Sequence, residues 1–204
     1  KGKFKEAQPL FEEALVIFRD VGGDNHPSVA SCLGSMGRMQ IKLRNYAAAE
    51  QLLSESLLIR RRLLGADHPL VANALNNLAI VHYHLGDLEA AAESYREVLR
   101  IYQTTHGDDH PALATIMNNL AAVLRGRGDT DEALAILREV LASRRSHLGD
   151  RHPLVGTALH NLGKTLMDAG QLEEAGLMLQ DALALRRSLY EGDHPDVAET
   201  IEAL

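Results

Sequence analysis

The sequence predicts an all-α protein built from repeated helical hairpins, and three observations support this. His-Pro pairs recur along the chain at a constant spacing of 42 residues, and a fixed period in this range is typical of a repeat array. Apolar residues between the pairs recur at three- and four-residue spacing, which is the pattern of amphipathic helices. Aromatic residues make up only 4% of the chain, which favours close-packed helices over a β-sandwich. The pairs begin at His26, His68, His110, His152 and His194.

The repeat that begins at His68 shows how each hairpin is specified. Pro69 suits the first position of a helix because its missing N–H is not needed there, and Asp67 or His68 is then the N-cap. An apolar stripe follows, and Gly86 is expected to end this first helix, called helix A. A second stripe, which includes Tyr95, predicts helix B, and Gly107 ends it.

Extending this pattern over the chain gives the predicted elements and repeats. We expect a single array made of a half-repeat at 1–25, full repeats at 26–67, 68–109, 110–151 and 152–193, and a half-repeat at 194–204. Because the chain opens and stops inside a repeat, we expect it to be a fragment of a longer protein. The predicted helices are 3–20, 27–43, 46–64, 69–85, 88–106, 111–125, 130–148, 153–169, 172–190 and 195–203.

Two columns of the alignment carry backbone and packing predictions. The residue between helices A and B is glycine in three full repeats but Arg44 in the first, where the neighbouring Asn45 is expected to adopt the left-handed conformation instead. An alanine early in helix B recurs, which predicts a close approach of two helices. The single cysteine, Cys32, aligns with core positions and is predicted to be a buried small residue.

Composition and motifs exclude several classes of function. A net charge of −7 argues against nucleic acid or an anionic membrane as the main partner, and the apolar runs are too short to span a bilayer. One cysteine suits a reducing compartment, so a cytoplasmic location is expected. No phosphate loop, nucleophile elbow or metal-ligand cluster is recognisable. The sequence therefore predicts no enzyme activity, no cofactor and no metal site.

Two groups of charged or titratable residues have simple structural interpretations. The histidines of the His-Pro column lie one repeat apart, too far to share a metal, and are predicted to cap helices or pack loops. Arginines late in helix B complement the negative end of the helix dipole. These arginines are Arg60, Arg61, Arg62, Arg144, Arg145, Arg186 and Arg187.

The residues Leu75-Asn76-Asn77-Leu78-Ala79, followed by Gly86, Ala91, Tyr95 and the Gly-Asp-Asp-His-Pro segment at 107–111, resemble the tetratricopeptide repeat, and more narrowly the 42-residue variety of kinesin light chains. This resemblance implies a right-handed superhelical solenoid with helices A on the concave face. It also implies a protein–protein interaction scaffold that binds a peptide along helix A positions two, five, six and nine.

Carried onto this sequence, the resemblance implies a set of candidate peptide-binding residues. These are Ser35, Arg38, Asn73, Asn76, Asn77, Ile80, His84, Thr115, Asn118, Asn119, Arg125, Thr157, His160, Asn161 and Lys164.

The asparagines have an independent physical argument. A side-chain amide offers both donors and an acceptor, so it can bind an extended peptide backbone of any sequence, whereas asparagine is unfavourable inside a helix. The alternative is that these amides bond to neighbouring helices and fix the repeat packing.

Charge and context leave further alternatives open. Helices A carry a slight excess of cations and helices B most of the acid, so a partner with acidic residues is favoured, unless helix B simply has more exposed positions. The chain could instead be the sensor arm of a larger signalling enzyme, or a self-associating structural array.

Overall fold

The computed structural model describes residues 2–204, with side chains from Ala7 onward, and this part of the chain is all-α. It divides into two compact units, Lys1–Asp108 and Asp109–Leu204. The first unit contains α1 (Gly2–Gly22), α2 (Pro27–Lys42), α3 (Tyr46–Leu64), α4 (Pro69–Leu85) and α5 (Leu88–His106). The second contains α6 (Ala112–Arg127), α7 (Thr130–Leu148), α8 (Pro153–Asp168), α9 (Leu172–Leu189) and α10 (Pro195–Ala203).

The predicted fold class is confirmed: even-numbered helices are helices A, and odd-numbered ones are helices B. Predicted and observed bounds agree to within two residues at every end. The helix α6 runs two residues beyond the predicted end, through Gly126, and the chain reverses at Gly128, which has a φ of 95°. That the two units form one continuous array stays a prediction.

Each histidine of the His-Pro column accepts a backbone hydrogen bond at the start of a helix A, as predicted, and it is the N-cap in α2, α4, α8 and α10, whereas Pro111 is the N-cap of α6. In α4, His68 Nδ1 accepts a hydrogen bond from the backbone N–H of Leu70 at 3.1 Å, while Pro69 occupies the first helical position. A cap of this kind satisfies one of the backbone donors that a helix start leaves unpaired. The same bond to the residue two positions on is made by His26, His110, His152 and His194.

The turn between helices A and B corrects one expectation. In the first repeat Arg44 itself has a positive φ of 62°, and Asn45 has φ of −88°, so the prediction that Asn45 is left-handed was wrong. The residue with positive φ occupies the same position in every full repeat, because the backbone hydrogen bonds that end helix A fix where the chain turns. Asn45 N–H donates to the Gln40 carbonyl here, as Asp87 N–H does to that of His82.

Small residues set the contact between helices A and B. The recurring alanine of helix B is fully buried in both units, as Ala91 and Ala133 show. In α8, a Cβ added at Gly163 would lie 2.7 Å from Leu179 Cγ in α9, so any residue larger than glycine would clash here. Cys32 is buried, as predicted, and its Sγ donates to the Phe11 carbonyl at 3.4 Å.

One arginine in each cluster late in helix B has a role that the dipole interpretation missed. Arg144 is 4% exposed, and its Nη1 donates to the Leu154 carbonyl in the next helix A at 2.8 Å. Arg60 does the same to the Leu70 carbonyl, and Arg186 to that of Asp196. These buried arginines therefore tie each helix B to the start of the following helix A, which sequence spacing alone did not reveal.

Candidate functional site

The candidate residues of the first unit lie on α2 and α4, on the surface that helices A present, called here the A-helix face. Their side chains are exposed or half-buried, so all can meet a ligand. The exposed ones are Arg38, Asn73 and His84, and the half-buried ones are Ser35, Asn76, Asn77 and Ile80.

In the second unit the candidates lie on α6 and α8, and one differs from the rest. His160 is only 2% exposed. It can shape the A-helix face, but a ligand would reach its ring only after its neighbours moved. Thr115 is exposed, and the remaining candidates are half-buried: Asn118, Asn119, Arg125, Thr157, Asn161 and Lys164.

One pair of asparagines makes the bond between helices that the packing alternative expects, and the others do not. Asn161 Nδ2 donates to Asn118 Oδ1 at 2.9 Å, a bond between neighbouring helices A. Asn77 Nδ2 donates instead to the Asn73 carbonyl of its own helix at 2.8 Å. Asn76 and Asn119 make no hydrogen bond within the described residues. Hydrogen-bonding capacity for a ligand also remains at the side-chain oxygens of Asn77 and Asn161 and at the side-chain NH₂ group of Asn118.

A small cavity lies beside the Asn118–Asn161 bond, between α6 and α8. Its volume is about 30 Å³, which is room for one water molecule or one polar ligand atom. Thr165 contributes a hydroxyl that already donates to the Asn161 carbonyl. The cavity therefore gathers two amides and a guanidinium around one small space. Its lining residues are Asn118, Ala122, Arg125, Leu137, Asn161 and Thr165.

Arginines on helices B form ion pairs with glutamates, whereas Arg38 on the A-helix face does not. On helices B, arginine and glutamate of successive helices pair across the unit: Arg19 and Glu55 at 2.6 Å, and Arg61 and Glu97 also at 2.6 Å. On the A-helix face, Arg38 donates to the Ser35 hydroxyl at 3.0 Å and makes no ion pair within the described residues. Arg38 is thus a cation on this face that no described carboxylate pairs with.

An aromatic cluster near the end of α4 was not predicted as a group. His84 stacks on Tyr46 with ring centroids 4.4 Å apart, and Tyr83 meets the same imidazole edge-on at 5.6 Å. Tyr46 begins α3 whereas His84 lies near the end of α4, so the contact joins two repeats and no local sequence pattern marks it.

Burial dominates the electrostatics of His160. It lowers the pKa of this imidazole; the Glu199 carboxylate opposes the shift, and Arg186, Lys164 and Arg125 reinforce it. Burial likewise raises the pKa of the Cys32 thiol, which disfavours its reactive thiolate form.

From Ala7 to Leu204, no three histidine, cysteine, aspartate or glutamate side chains converge as metal ligands would. Within the same part of the chain, no helix is both long and apolar enough to cross a membrane.

The fold and the A-helix face define a helical-hairpin repeat protein, and comparison with known proteins gives its family. The sequence matches the tetratricopeptide repeat at residues 1–54, 36–104, 81–146, 113–187 and 154–204. The chain belongs to the tetratricopeptide repeat family. Repeats of this family typically form non-enzymatic scaffolds for protein–protein interaction.

Solved structures share this fold, and some of them are kinesin-light-chain-like proteins with tetratricopeptide-like repeats. BtubC (BKLC) from P. vanneervenii is 25% identical with a TM-score of 0.82, over 95% of this chain and 77% of that one. A kinesin-light-chain-like protein of Podosopora anserina with nearly identical TPR-like repeats is 24% identical with a TM-score of 0.82, over 94% and 90%. MamA shares the fold at 14% identity and a TM-score of 0.64, over 91% and 95%. Among curated proteins, none matches this sequence.

Proposed function

We propose that this chain is a protein–protein interaction scaffold that holds a peptide segment of its partner on the A-helix face. The observation that carries the proposal is the row of asparagines along helices A whose amide groups are not used up by the fold. In the first unit, Asn77 keeps its oxygen and Asn76 its whole amide. An extended peptide presents the complementary N–H and C=O groups along its backbone, so these amides can bind it whatever its side chains are.

Charge favours an acidic segment on the first unit. The helix α2 carries Arg38 and Lys42 and no acidic residue, and Arg38 is exposed without an ion pair. An aspartate or glutamate of the partner would gain a charge-assisted hydrogen bond there.

The test is a double substitution on the A-helix face, Asn77→Ala with Asn119→Ala. We expect capture of partner proteins from the native lysate to be lost, because two amide contacts disappear. The thermal midpoint should stay nearly unchanged, because Asn119 makes no hydrogen bond in the fold and Asn77 bonds only within its own helix. Capture is measured by quantitative mass spectrometry and folding by circular dichroism.

The matched control replaces two exposed amides on helices B, Gln51→Ala with Gln180→Ala, and should retain the captured proteins. A large loss of helicity in the asparagine variant would mean that the asparagines serve packing. Equal capture by both variants would mean that they do not contact the partner.

A further inference from the structure

A second cavity lies inside the second unit, where the first turn of α6, the last turns of α7 and the first turn of α8 meet. Its volume is about 90 Å³, which is the room of about three water molecules. Four apolar residues contribute to its wall, and these are Pro111, Ala114, Leu148 and Leu154. The exposed Thr115 of α6 also lines it, so the cavity borders the A-helix face.

A small residue of α7 leaves room for this cavity. Ser143, which lines it, stands at the position of helix B that holds Ile59 and Ile101 in the two preceding repeats. Both isoleucines are buried, and a serine side chain fills less of the same space. The cavity is thus a feature of this repeat's own sequence.

Arg144 brings to the wall of the cavity a guanidinium whose donors are mostly unused. The residue is 4% exposed, and within the described residues its one hydrogen bond runs from Nη1 to the Leu154 carbonyl. Its Nε is buried without a partner. Buried polar groups without a partner are exceptional in folded proteins. The unused edge of the guanidinium, Nε with Nη2, is one through which arginine can bind a carboxylate by two parallel hydrogen bonds.

No carboxylate compensates this buried charge within the described residues, where Arg144 makes no ion pair. The acidic groups near it in sequence are paired with other residues: Asp150 lies 3.3 Å from Arg145, and Asp109 lies 3.0 Å from His147. Burial lowers the pKa of Arg144, and no carboxylate opposes that shift. The cavity therefore combines an apolar wall with an unpaired positive charge.

From this arrangement we infer that the cavity binds an aspartate or glutamate side chain of the partner segment. The inference rests on the proposed function and adds a specificity-determining pocket to it, separate from the exposed Arg38 of the first unit. The carboxylate accepts hydrogen bonds from the unused edge of Arg144, and its methylene groups pack on Ala114 and Leu154. The Thr115 hydroxyl, which has no partner within the described residues, is a further donor.

A displayed library of short random peptides, selected on the intact chain, tests this inference. Bound peptides should be enriched in aspartate or glutamate at one position. Replacing that residue by its amide should weaken binding by about tenfold, because a charge-assisted hydrogen bond is lost. Ser143→Ile, which fills the cavity with the residue of the two preceding repeats, should weaken binding as much, and the amide replacement should then have little further effect. Affinity is measured by fluorescence anisotropy.

Two further variants separate the charge of the cavity from its volume. Arg144→Gln removes the charge without filling the space, and the acidic peptide and its amide form should bind to it equally. Ser146→Ile is the matched control, because it adds the same side chain at an exposed position of α7 outside the cavity, and it should bind as the wild type does. Circular dichroism at the assay temperature checks that each variant is folded.

The outcomes separate this inference from the proposed function. An acidic preference that survives both Ser143→Ile and Arg144→Gln would place the acid elsewhere, as at Arg38, and would overturn the inference while the proposed function stands. Peptides that need Asn77 and Asn119 but show no acidic preference would have the same consequence. Peptides weakened by Ser143→Ile that carry an apolar residue at the sensitive position would overturn it too. A library that yields no binder would overturn the two together.

Discussion

Histidine has two opposite environments in this chain, and the difference lies in what surrounds each ring. The His-Pro histidines use Nδ1 as an acceptor for a backbone N–H, as His68 does toward Leu70, so their role is local and repeats with the period. His160 occupies a helix A column that holds Asn76 and Asn118 in the preceding repeats. Its ring is buried and neither nitrogen has a hydrogen-bond partner, although Nε2 lies 3.5 Å from a Glu199 oxygen. Burial opposes the protonated form of this ring.

We predict that His160 makes the stability of the protein fall at mildly acidic pH. Because burial lowers its pKa below the ordinary value of 6.5, the folded state holds the neutral ring, whereas the unfolded chain takes up a proton below about pH 6.5. The stabilisation is thus complete above the unfolded pKa and is lost as pH falls through that value toward the folded one.

The measurement is the free energy of unfolding of the wild type and of His160→Asn between about pH 7.5 and pH 5. Asparagine is the residue of the equivalent column and does not titrate, so the variant should lose less stability over this interval. Parallel profiles for the two proteins would contradict the prediction.

At the scale of the helices, the arginine near the end of helix B joins one repeat to the next. Arg60, Arg144 and Arg186 each donate to a carbonyl ten residues further on, which is the first turn of the next helix A. Burial lowers the pKa of Arg144, but a guanidinium remains charged at any pH where the protein is folded. In α5 the same column holds Tyr102, which stacks on His106 at 5.2 Å.

We predict that Arg144→Ala destabilises the protein by about 2 kcal/mol, because a buried charged donor and its bond to the Leu154 carbonyl are lost. The adjacent Arg145→Ala is the matched control. Its side chain is 46% exposed and pairs only with Asp150 at 3.3 Å, and an exposed pair of this kind contributes about 0.5 kcal/mol or less. Urea unfolding followed by circular dichroism measures both, and equal losses would show that Arg144 is not a tie between helices.

The helices could be predicted from the sequence because each depends on local signals that recur five times. The asparagine columns could be placed on helices A for the same reason. Their hydrogen bonds could not be predicted. Asn77 donates to a carbonyl of its own helix and Asn161 to the Asn118 side chain, and which bond forms depends on the side-chain rotamer and on the distance between helices. The burial of His160 likewise depends on its neighbours from other helices, which include Glu199 in α10. The type of residue at one repeat position does not predict which residues of other helices surround it.

At the scale of the whole molecule, the charge of helices A changes along the chain. The helix α2 carries two cations and no acid, whereas α10 carries Asp196, Glu199 and Glu202 and no base. A net charge of −7 conceals this difference. Under the proposed function, a partner segment with acidic residues would match Arg38 of α2.

Stability should also be distributed along the chain rather than shared by one core. Because each repeat packs mainly on its neighbours, loss of one contact weakens the adjacent helices most. Two variants with the same chemistry in different units can test this. Arg60→Ala removes a tie between α3 and α4, and Arg144→Ala removes one between α7 and α8.

Hydrogen exchange of backbone amides is the measurement, and each variant serves as the control for the other. We expect Arg60→Ala to accelerate exchange most in α3 and α4 and Arg144→Ala to do so most in α7 and α8, because local opening needs only the weakened pair to separate. An equal acceleration throughout both units in either variant would mean that the chain opens as a single cooperative body, and the nearest-neighbour view of its stability would then be wrong.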